Sequence, residues 1–333
     1  MSPSEESTKA VIDEIAGRIR SGRRFLITAH RNPDGDAIGS ALALRRILIR
    51  LDKEAKILVR DAFSPPLKHV PGIEEVEFAD TLPPDYPAGW DGLFTMECPE
   101  RERCGYAILP GPVINVDHHI GNTGYGEVNY VDVDAPSVGE MLLVLADTLG
   151  VTVDEAIATP IYVSLASDTG FFRYTNTSLR ALEAAVRLVE AGADPGAISL
   201  WINESVPAAT IRIQSLCGTT LQIHEGVKVA TMEMSLTMLA EAGASPEDVE
   251  GVASLGRTID GVLVSAFLKE AEGGTRVSMR AKPGADVQRV ASRFGGGGHK
   301  AASGCTIPRP MAEAKRVLLD AIREMLAKRE TAR

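Results

Sequence analysis

Short apolar runs alternate with amphipathic stretches as far as Ala191. Phe25-Leu26-Ile27-Thr28-Ala29 and Val113-Ile114-Asn115-Val116 are apolar runs of strand length, the pattern of parallel strands covered on both sides. The spacing predicts a charged helix over Glu6 to Ser21 and a strand over Arg24 to Ala29. A helix opened by Asp36 then runs to about Leu51, and a strand follows over Ala55 to Val59. A proline-rich connection (Pro65, Pro66, Pro83, Pro84, Pro87) leads to strands over Gly92 to Met96 and Val113 to Val116. Helices are expected over Ser137 to Leu149, Thr152 to Ala166 and Ser178 to Ala191. Pro160 should kink or divide the middle one, because proline lacks the amide proton of the helix ladder. This alternation predicts an α/β fold, a mostly parallel sheet covered by helices on both faces. In such sheets ligands gather beyond the carboxyl ends of the strands.

Gly192, Asp194, Pro195 and Gly196 interrupt the pattern. The expected organisation is a first domain over 1–191, a helical linker over 192–216 with its helix at Ile198 to Leu216, and a second domain over 217–333. In the second domain, strands are expected over Val227 to Met232, Gly261 to Leu268 and Arg276 to Arg280. Helices are expected over Pro246 to Leu255, Ala285 to Phe294 and Met311 to Lys328. That mixture reads as a smaller α+β domain.

Composition narrows the function. At 333 residues there is room for two cores, and 44% hydrophobic with 24% charged residues is ordinary globular material. The N-terminal residues carry no positive flank followed by an apolar core, and no apolar run reaches the roughly 20 residues that span a bilayer. A cytoplasmic protein with no membrane partner is therefore expected. Cys98, Cys104, Cys217 and Cys305 form no Cys-x-x-Cys spacing and read as buried small hydrophobes. A net charge of −10 disfavours long duplex nucleic acid but permits a small or single-stranded anion.

The candidate chemistry lies directly after two of the buried strands. His30-Arg31-Asn32-Pro33-Asp34-Gly35-Asp36 follows the first, and Asp117-His118-His119 follows the other. An isolated Asp-x-Asp reads more simply as a helix cap beside a solvated loop residue. Here His30 lies just upstream and a second ligand-type cluster occupies the equivalent place after another strand. That combination favours a divalent-metal pocket. Oxygen and imidazole donors suit a first-row ion such as Mn²⁺ better than a structural zinc.

His30-x-x-x-Asp34-x-Asp36 followed by Asp117-His118-His119 resembles the DHH phosphoesterase superfamily. Arg293-Phe294-Gly295-Gly296-Gly297-Gly298-His299-Lys300-Ala301-Ala302-Ser303-Gly304 resembles the glycine-rich signature of the DHH-associated C-terminal domain. The two motif sets occur in the family's order and span nearly the whole chain. The resemblance implies two Mn²⁺ ions, with Mg²⁺ or Co²⁺ as alternatives. One would be held by His30, Asp34 and a bridging carboxylate. The other would be held by Asp36, the same bridge, His118 and Asp168 of Ser167-Asp168-Thr169-Gly170. At the bridge the family usually has Asp, where this chain has Glu97 after the strand Gly92 to Met96. Glu97 either spans both ions or serves one only, which would change metal preference. His119 and Asp117 are the candidate catalytic pair, His119 touching the phosphate or leaving group and Asp117 orienting a histidine. Gly296, Gly297, Gly298 and His299 would hold the far end of a nucleotide, and Arg280 its terminal phosphate. Arg257 and Lys282 are weaker candidates, and His69 and His224 match no motif.

The implied reaction is hydrolysis of short oligoribonucleotides, dinucleotides or pAp by a hydroxide bridging two ions about 3.5–4 Å apart, in a cleft between the domains. The alternatives are a single-strand exonuclease, an inorganic pyrophosphatase and a non-catalytic nucleotide-binding protein. The implied partner is short single-stranded RNA or a nucleotide. Whether the chain forms a homodimer is left open.

Overall fold

The computed structural model describes residues 3–330 other than 225, 227 and 250. The chain divides into two compact units, 1–205 and 206–333. The first unit runs α1 (Pro3–Ser21), β1 (Arg24–Ala29), α2 (Gly35–Arg50), β2 (Glu54–Val59), β3 (Val76–Phe78), β4 (Gly92–Met96), β5 (Val113–Asp117), β6 (Val128–Val131), α3 (Val138–Leu149), α4 (Glu155–Asp168), α5 (Leu179–Glu190) and α6 (Pro195–Asn203). Its six strands are all parallel, in the order β3-β2-β1-β4-β5-β6.

Alternate residues of the central strands feed two cores, as the period of two in a strand requires. Phe25, Ile27, Ile57, Phe94, Met96, Ile114 and Val116 join the apolar faces of α1 to α4 in the larger core. Leu26, Leu58, Leu93 and Val113 join Tyr86, Trp90, Cys98, Cys104, Tyr106 and Leu109 in a smaller one. The α/β architecture is as expected, with a distinction between the faces. α-Helices cover one side, while irregular chain and the short 3-10 turn Arg101–Cys104 supply much of the other. That cover has no periodicity to read in advance.

Three local expectations are corrected. Asp34, not Asp36, caps α2: its Oδ1 accepts from the amides of Asp36 at 3.0 Å and Ala37 at 3.1 Å. Asp36 is thereby carried into the first helical turn. Pro160 does not divide α4, which continues through it to Asp168, because the residues after it are buried against the larger core and that packing outweighs one missing ladder bond. The expected helix Ile198 to Leu216 is two helices, α6 in the first unit and α7 (Ala208–Thr219) in the second, with Pro207 as the N-cap of α7. The short strands β3 and β6 add to the expected set; at three and four residues they are too brief to show a period.

Close backbone approach fixes the spacing of α2 and α4. A Cβ on Gly39 of α2 would lie 2.4 Å from the carbonyl oxygen of Pro160 in α4, so only glycine permits that spacing.

The second unit continues from α7 with β7 (Gln222–His224), β8 (Val229–Met234), α8 (Leu236–Ala242), α9 (Val252–Arg257), β9 (Val264–Ala271), β10 (Gly274–Ala281), α10 (Val287–Ser292), β11 (Gly297–Gly298), β12 (Ala302–Ile307) and α11 (Met311–Glu330). The sheet order is β11-β12-β10-β9-β8-β7, antiparallel except for the parallel pair β8–β9. One face packs on α10 and α11, the other on α7, α8 and α9. The expected helix Pro246 to Leu255 is a 3-10 turn, Pro246–Val249, followed by α9. Val227, at the start of one expected strand, and Glu250, within that expected helix, lie outside the described residues. No described helix is long and apolar enough to cross a membrane.

Candidate metal centre

β1, β4 and β5 are adjacent, and Ala29 is level with Met96, which is level with Val116. The residues that follow these positions therefore emerge together at the carboxyl edge. They are His30, Glu97 and, at the end of β5, Asp117 with His118 and His119 just beyond. The first turn of α2 brings Asp34 and Asp36 to the same edge, and the last residue of α4 is Asp168.

Ligand-type atoms gather in overlapping groups whose members lie within 4.8 Å of one another. One is His30, Asp34 and Glu97; another is Asp36, Glu97, His118 and Asp168; a third is Glu97, His118 and His119. His30 Nε2 lies 3.3 Å from Oε2 of Glu97 and 3.8 Å from Oδ1 of Asp34. His118 Nε2 lies 3.9 Å from the other Glu97 oxygen, 3.7 Å from Asp36 and 3.8 Å from Asp168. The two oxygens of Glu97 thus face different groups.

Each imidazole is held by its other nitrogen. His30 Nδ1 lies 2.8 Å from the carbonyl oxygen of Arg31, and His118 Nδ1 3.0 Å from that of Ala135. A carbonyl only accepts, so both Nδ1 atoms carry hydrogen and both Nε2 atoms present a lone pair when the ring is neutral. His119 differs. Its Nδ1 is 2.8 Å from Oδ1 of Asp117, whose Oδ2 accepts from Asn122 Nδ2 at 2.6 Å.

The carboxylates are fixed as firmly. Asp36, fully buried, accepts from Ser164 Oγ at 2.6 Å and from the amides of Val138 at 2.9 Å and Gly139 at 3.3 Å. Those amides open α3, so the positive end of that helix faces the carboxylate. Asp168 accepts from Asn176 Nδ2 at 3.0 Å. Oε2 of Glu97 is buried yet receives no hydrogen bond of acceptable geometry. Glu97 also takes a left-handed backbone, φ +57°, a conformation that costs a non-glycine residue roughly 1–2 kcal/mol.

Charge in this pocket is unbalanced. Burial, together with the negative charges of Asp34 and Asp36, pushes the Glu97 carboxyl well up. Burial, with Asp36 adding to it, raises Asp168 to about 7. Burial also raises Asp36. For the histidines burial works the other way, but Asp34 and Glu97 outweigh it at His30, and Asp36 and Asp168 at His118, so both imidazoles are raised. Asp34 goes down despite its burial, because His30 and the amide of Ala37 hold its charged form. Clustered carboxylates of this kind resist full ionisation until cations join them.

The expected ligand set thus falls in one place, and Asp117 and His119 lie beside it. Sequence reasoning missed Ser164, Asn122 and Asn176, which hold Asp36, Asp117 and Asp168 in position. Serine and asparagine carry no ligand signal by themselves.

The glycine-rich stretch lies in the second unit. Gly297 and Gly298 pair with Gly304 and Ser303, and the amide of His299 donates to Ala302 at 2.7 Å to close a tight turn. A Cβ on Gly296 would lie 2.1 Å from the carbonyl oxygen of Gly304, so close strand packing alone requires glycine there. Arg280 is level with Ala302 on β12, beside the turn that carries His299. Arg257 closes α9, and Lys282 Nζ donates to the carbonyl of Ile259 at 2.8 Å. His69 is exposed, and His224 Nε2 lies 3.0 Å from Thr231 Oγ1.

A parallel sheet with acidic and imidazole groups at its carboxyl edge, joined to a mixed-sheet unit with a glycine hairpin, is the architecture of the DHH phosphoesterases. Residues 24–165 match the DHH family, N-terminal domain, and residues 226–328 match the DHHA1 domain. The chain belongs to the DHH family. It is 33% identical over 305 residues to the bifunctional oligoribonuclease and PAP phosphatase NrnA of Thermus thermophilus, covering 91% of this chain and 90% of that one. The Bacillus subtilis protein of the same name is 27% identical, with 89% of this chain and 93% of that one covered. An exopolyphosphatase-related protein from Bacteroides fragilis shares the fold, with a TM-score of 0.89 at 24% identity over 97% of this chain and 98% of that one.

Proposed function

We propose that this protein is a metal-dependent phosphoesterase that hydrolyses short oligoribonucleotides, dinucleotides and pAp, with Mn²⁺ as the preferred ion. The observation that carries the reading is Glu97, a buried carboxylate whose two oxygens face two different ligand groups, one of them without a hydrogen bond. The donor set fits divalent first-row ions: carboxylate oxygen and imidazole nitrogen, with no thiolate among the converging groups. His30, Asp34 and Glu97 would hold one ion, and Asp36, Glu97, His118 and Asp168 the other. When bound, such a pair activates water and neutralises phosphoryl oxygens during in-line displacement.

The chain's own residues do the rest. Arg31 and Ala135 carbonyls fix the imidazole tautomers, while Ser164 and the start of α3 hold Asp36. His119, held by Asp117, contacts the phosphate or leaving-group oxygen. Arg280 and the turn at Gly296, Gly297, Gly298 and His299 take the far end of the nucleotide. The substrate class is supported by the relatives named for oligoribonuclease and PAP phosphatase activity.

The test is a substrate panel of pAp, a dinucleotide, an oligoribonucleotide and pyrophosphate, each with Mn²⁺, Mg²⁺ and Co²⁺. The wild type should cleave the first three and spare pyrophosphate, with Mn²⁺ fastest. Asp34→Ala should abolish turnover, and Glu97→Asp should retain it. Full activity in Asp34→Ala would end the metal assignment.

A further inference from the structure

The second unit contains a concavity that shares only Gly296 with the reading above. It has a volume of about 380 Å³ and is bordered by Lys269, Arg276, Ser278, Thr306 and the backbone at Gly295 and Gly296. Arg276 on β10 is directly opposite Lys269 on β9 and Thr306 on β12. Like charges facing each other across antiparallel strands repel, since directly opposed Cβ atoms are only about 4.5–5.5 Å apart. Among the described residues no carboxylate forms an ion pair with Arg276, although the whole chain carries a net charge of −10. The Lys269 ammonium lies 5.8 Å from the centre of the Phe267 ring. Two cations and two hydroxyls thus border one concavity.

We propose that this concavity is a second anion subsite, holding an internal phosphodiester of an oligoribonucleotide. The inference rests on the phosphoesterase reading and extends it to substrates longer than a dinucleotide. A guanidinium beside an ammonium, with hydroxyls and glycine backbone nearby, matches phosphate chemistry. Phe294 is the one aromatic residue in the lining, so the site grips backbone charge and does not enclose a base. Arg276 and Arg280 are four residues apart on β10, about 13 Å at the rise of a strand. The subsite is therefore separate from Arg280, and a terminal phosphate at Arg280 leaves it free for a phosphate further along the same strand of RNA.

The experiment compares the wild type with Arg276→Gln and with the Lys269→Gln/Arg276→Gln double variant, using a five-nucleotide RNA and a dinucleotide. The expected result is a KM for the five-mer raised about fivefold to tenfold by Arg276→Gln, with kcat and both constants for the dinucleotide unchanged. The slope of log affinity against log salt for the five-mer should fall by about 0.7 for each cation withdrawn from the RNA backbone. Unchanged five-mer constants, or equal losses for both substrates, overturn the subsite. If the wild type cleaves neither substrate, the phosphoesterase reading fails on its own. Binding of a fluorescein-labelled five-mer with Ca²⁺ then decides the subsite: weaker binding by the variants supports it, and equal binding removes it. Arg276 is exposed and like-charged with its neighbour, so a lowered Tm in Arg276→Gln would also count against it.

Discussion

Oε2 of Glu97 lies 3.3 Å from Nε2 of His30 and receives no well-formed hydrogen bond, although it is buried. The same residue has a left-handed backbone. Stability alone would not select a carboxylate in that position, since burial, Asp34 and Asp36 all oppose its charge. The proposed role of Glu97 as a metal ligand accounts for it.

Glu97→Asn should therefore separate stability from activity. Asparagine tolerates the left-handed region better than glutamate and carries no charge. The metal-free variant should melt at a higher temperature than the metal-free wild type, by about 1 kcal/mol or more in stability. It should also lose the Mn²⁺-induced rise in Tm. Calorimetry with and without chelator checks both; a Tm rise on adding Mn²⁺ that matches the wild type would remove Glu97 from the ligand set.

The raised acids set a pH dependence. An acid whose pKa is higher in the folded state loses stabilisation as pH climbs from its unfolded value through its folded one. For Asp168 that window runs from about 4 to about 7, and Glu97 acts in the same direction. His30 and His118, also raised, contribute stability below the ordinary imidazole value and lose it as pH rises through their folded values. Asp34 acts in the opposite sense, but only at acid pH, where its stabilisation disappears as it takes up a proton. Metal-free protein should thus weaken as pH is raised towards 7 and beyond. Added divalent ion favours the ionised acids and neutral imidazoles. The Mn²⁺-induced rise in Tm should be larger at pH 8 than at pH 6, and an equal rise at both would contradict the charge balance described.

Ser164 links helix packing to the site. Its hydroxyl donates to Asp36 at 2.6 Å in a fully buried setting. Ser164→Ala should cost about 1.5–3 kcal/mol, the range for hydrogen bonds to charged groups. It should also weaken Mn²⁺ binding by about 10–100-fold, as loss of a group that orients a ligand does. Urea unfolding and a metal titration measure the two effects. A stability loss without any change in Mn²⁺ affinity would show that Ser164 serves packing alone.

The loops of the candidate metal centre were readable in the sequence because polar donor residues directly follow strong apolar runs. His30, Asp34, Asp36 and His118 need no tertiary information to stand out. Ser164 and Asn176 do, since their partners are 128 and 8 residues away and their residue types are common in helices and turns. The left-handed backbone at Glu97 leaves no trace in sequence either, because glutamate is not a residue that marks such a turn. The irregular cover formed by Tyr86, Trp90, Tyr106 and Leu109 was hidden for a related reason: prolines and glycines punctuate that stretch and no period links its apolar residues.

Gly39 tests how far the centre depends on the spacing of α2 and α4. An alanine there would press its Cβ against the Pro160 carbonyl oxygen, at 2.4 Å without movement, and against the amide nitrogen of Ser164 at 2.8 Å. Backbone atoms cannot swing aside, so the helices must part. Gly39→Ala should cost about 1–3 kcal/mol and should reduce Mn²⁺ affinity with it, because Asp36 and Ser164 lie on the two helices being separated. A fully stable variant would show that α2 and α4 can separate without strain.

Asn122 offers the sharpest distinction between holding metal and handling substrate. Its side-chain amide donates at 2.6 Å to Asp117 and at 2.7 Å to Asn115, and Asp117 in turn holds His119 through Oδ1. Replacing the amide with a carboxylate sets two negative charges in contact and removes the donor. Asn122→Asp should therefore turn Asp117 away from its present position and release His119, while the atoms grouped around His30, Asp36 and Asp168 keep their own partners. The expected outcome is kcat lowered about 10–100-fold with Mn²⁺ affinity within about twofold of the wild type. Asn122→Gln, which keeps a donor, should recover part of the rate. If Asn122→Asp instead weakens Mn²⁺ binding as strongly as it lowers kcat, Asp117 and His119 belong to the metal site rather than to the substrate side of it.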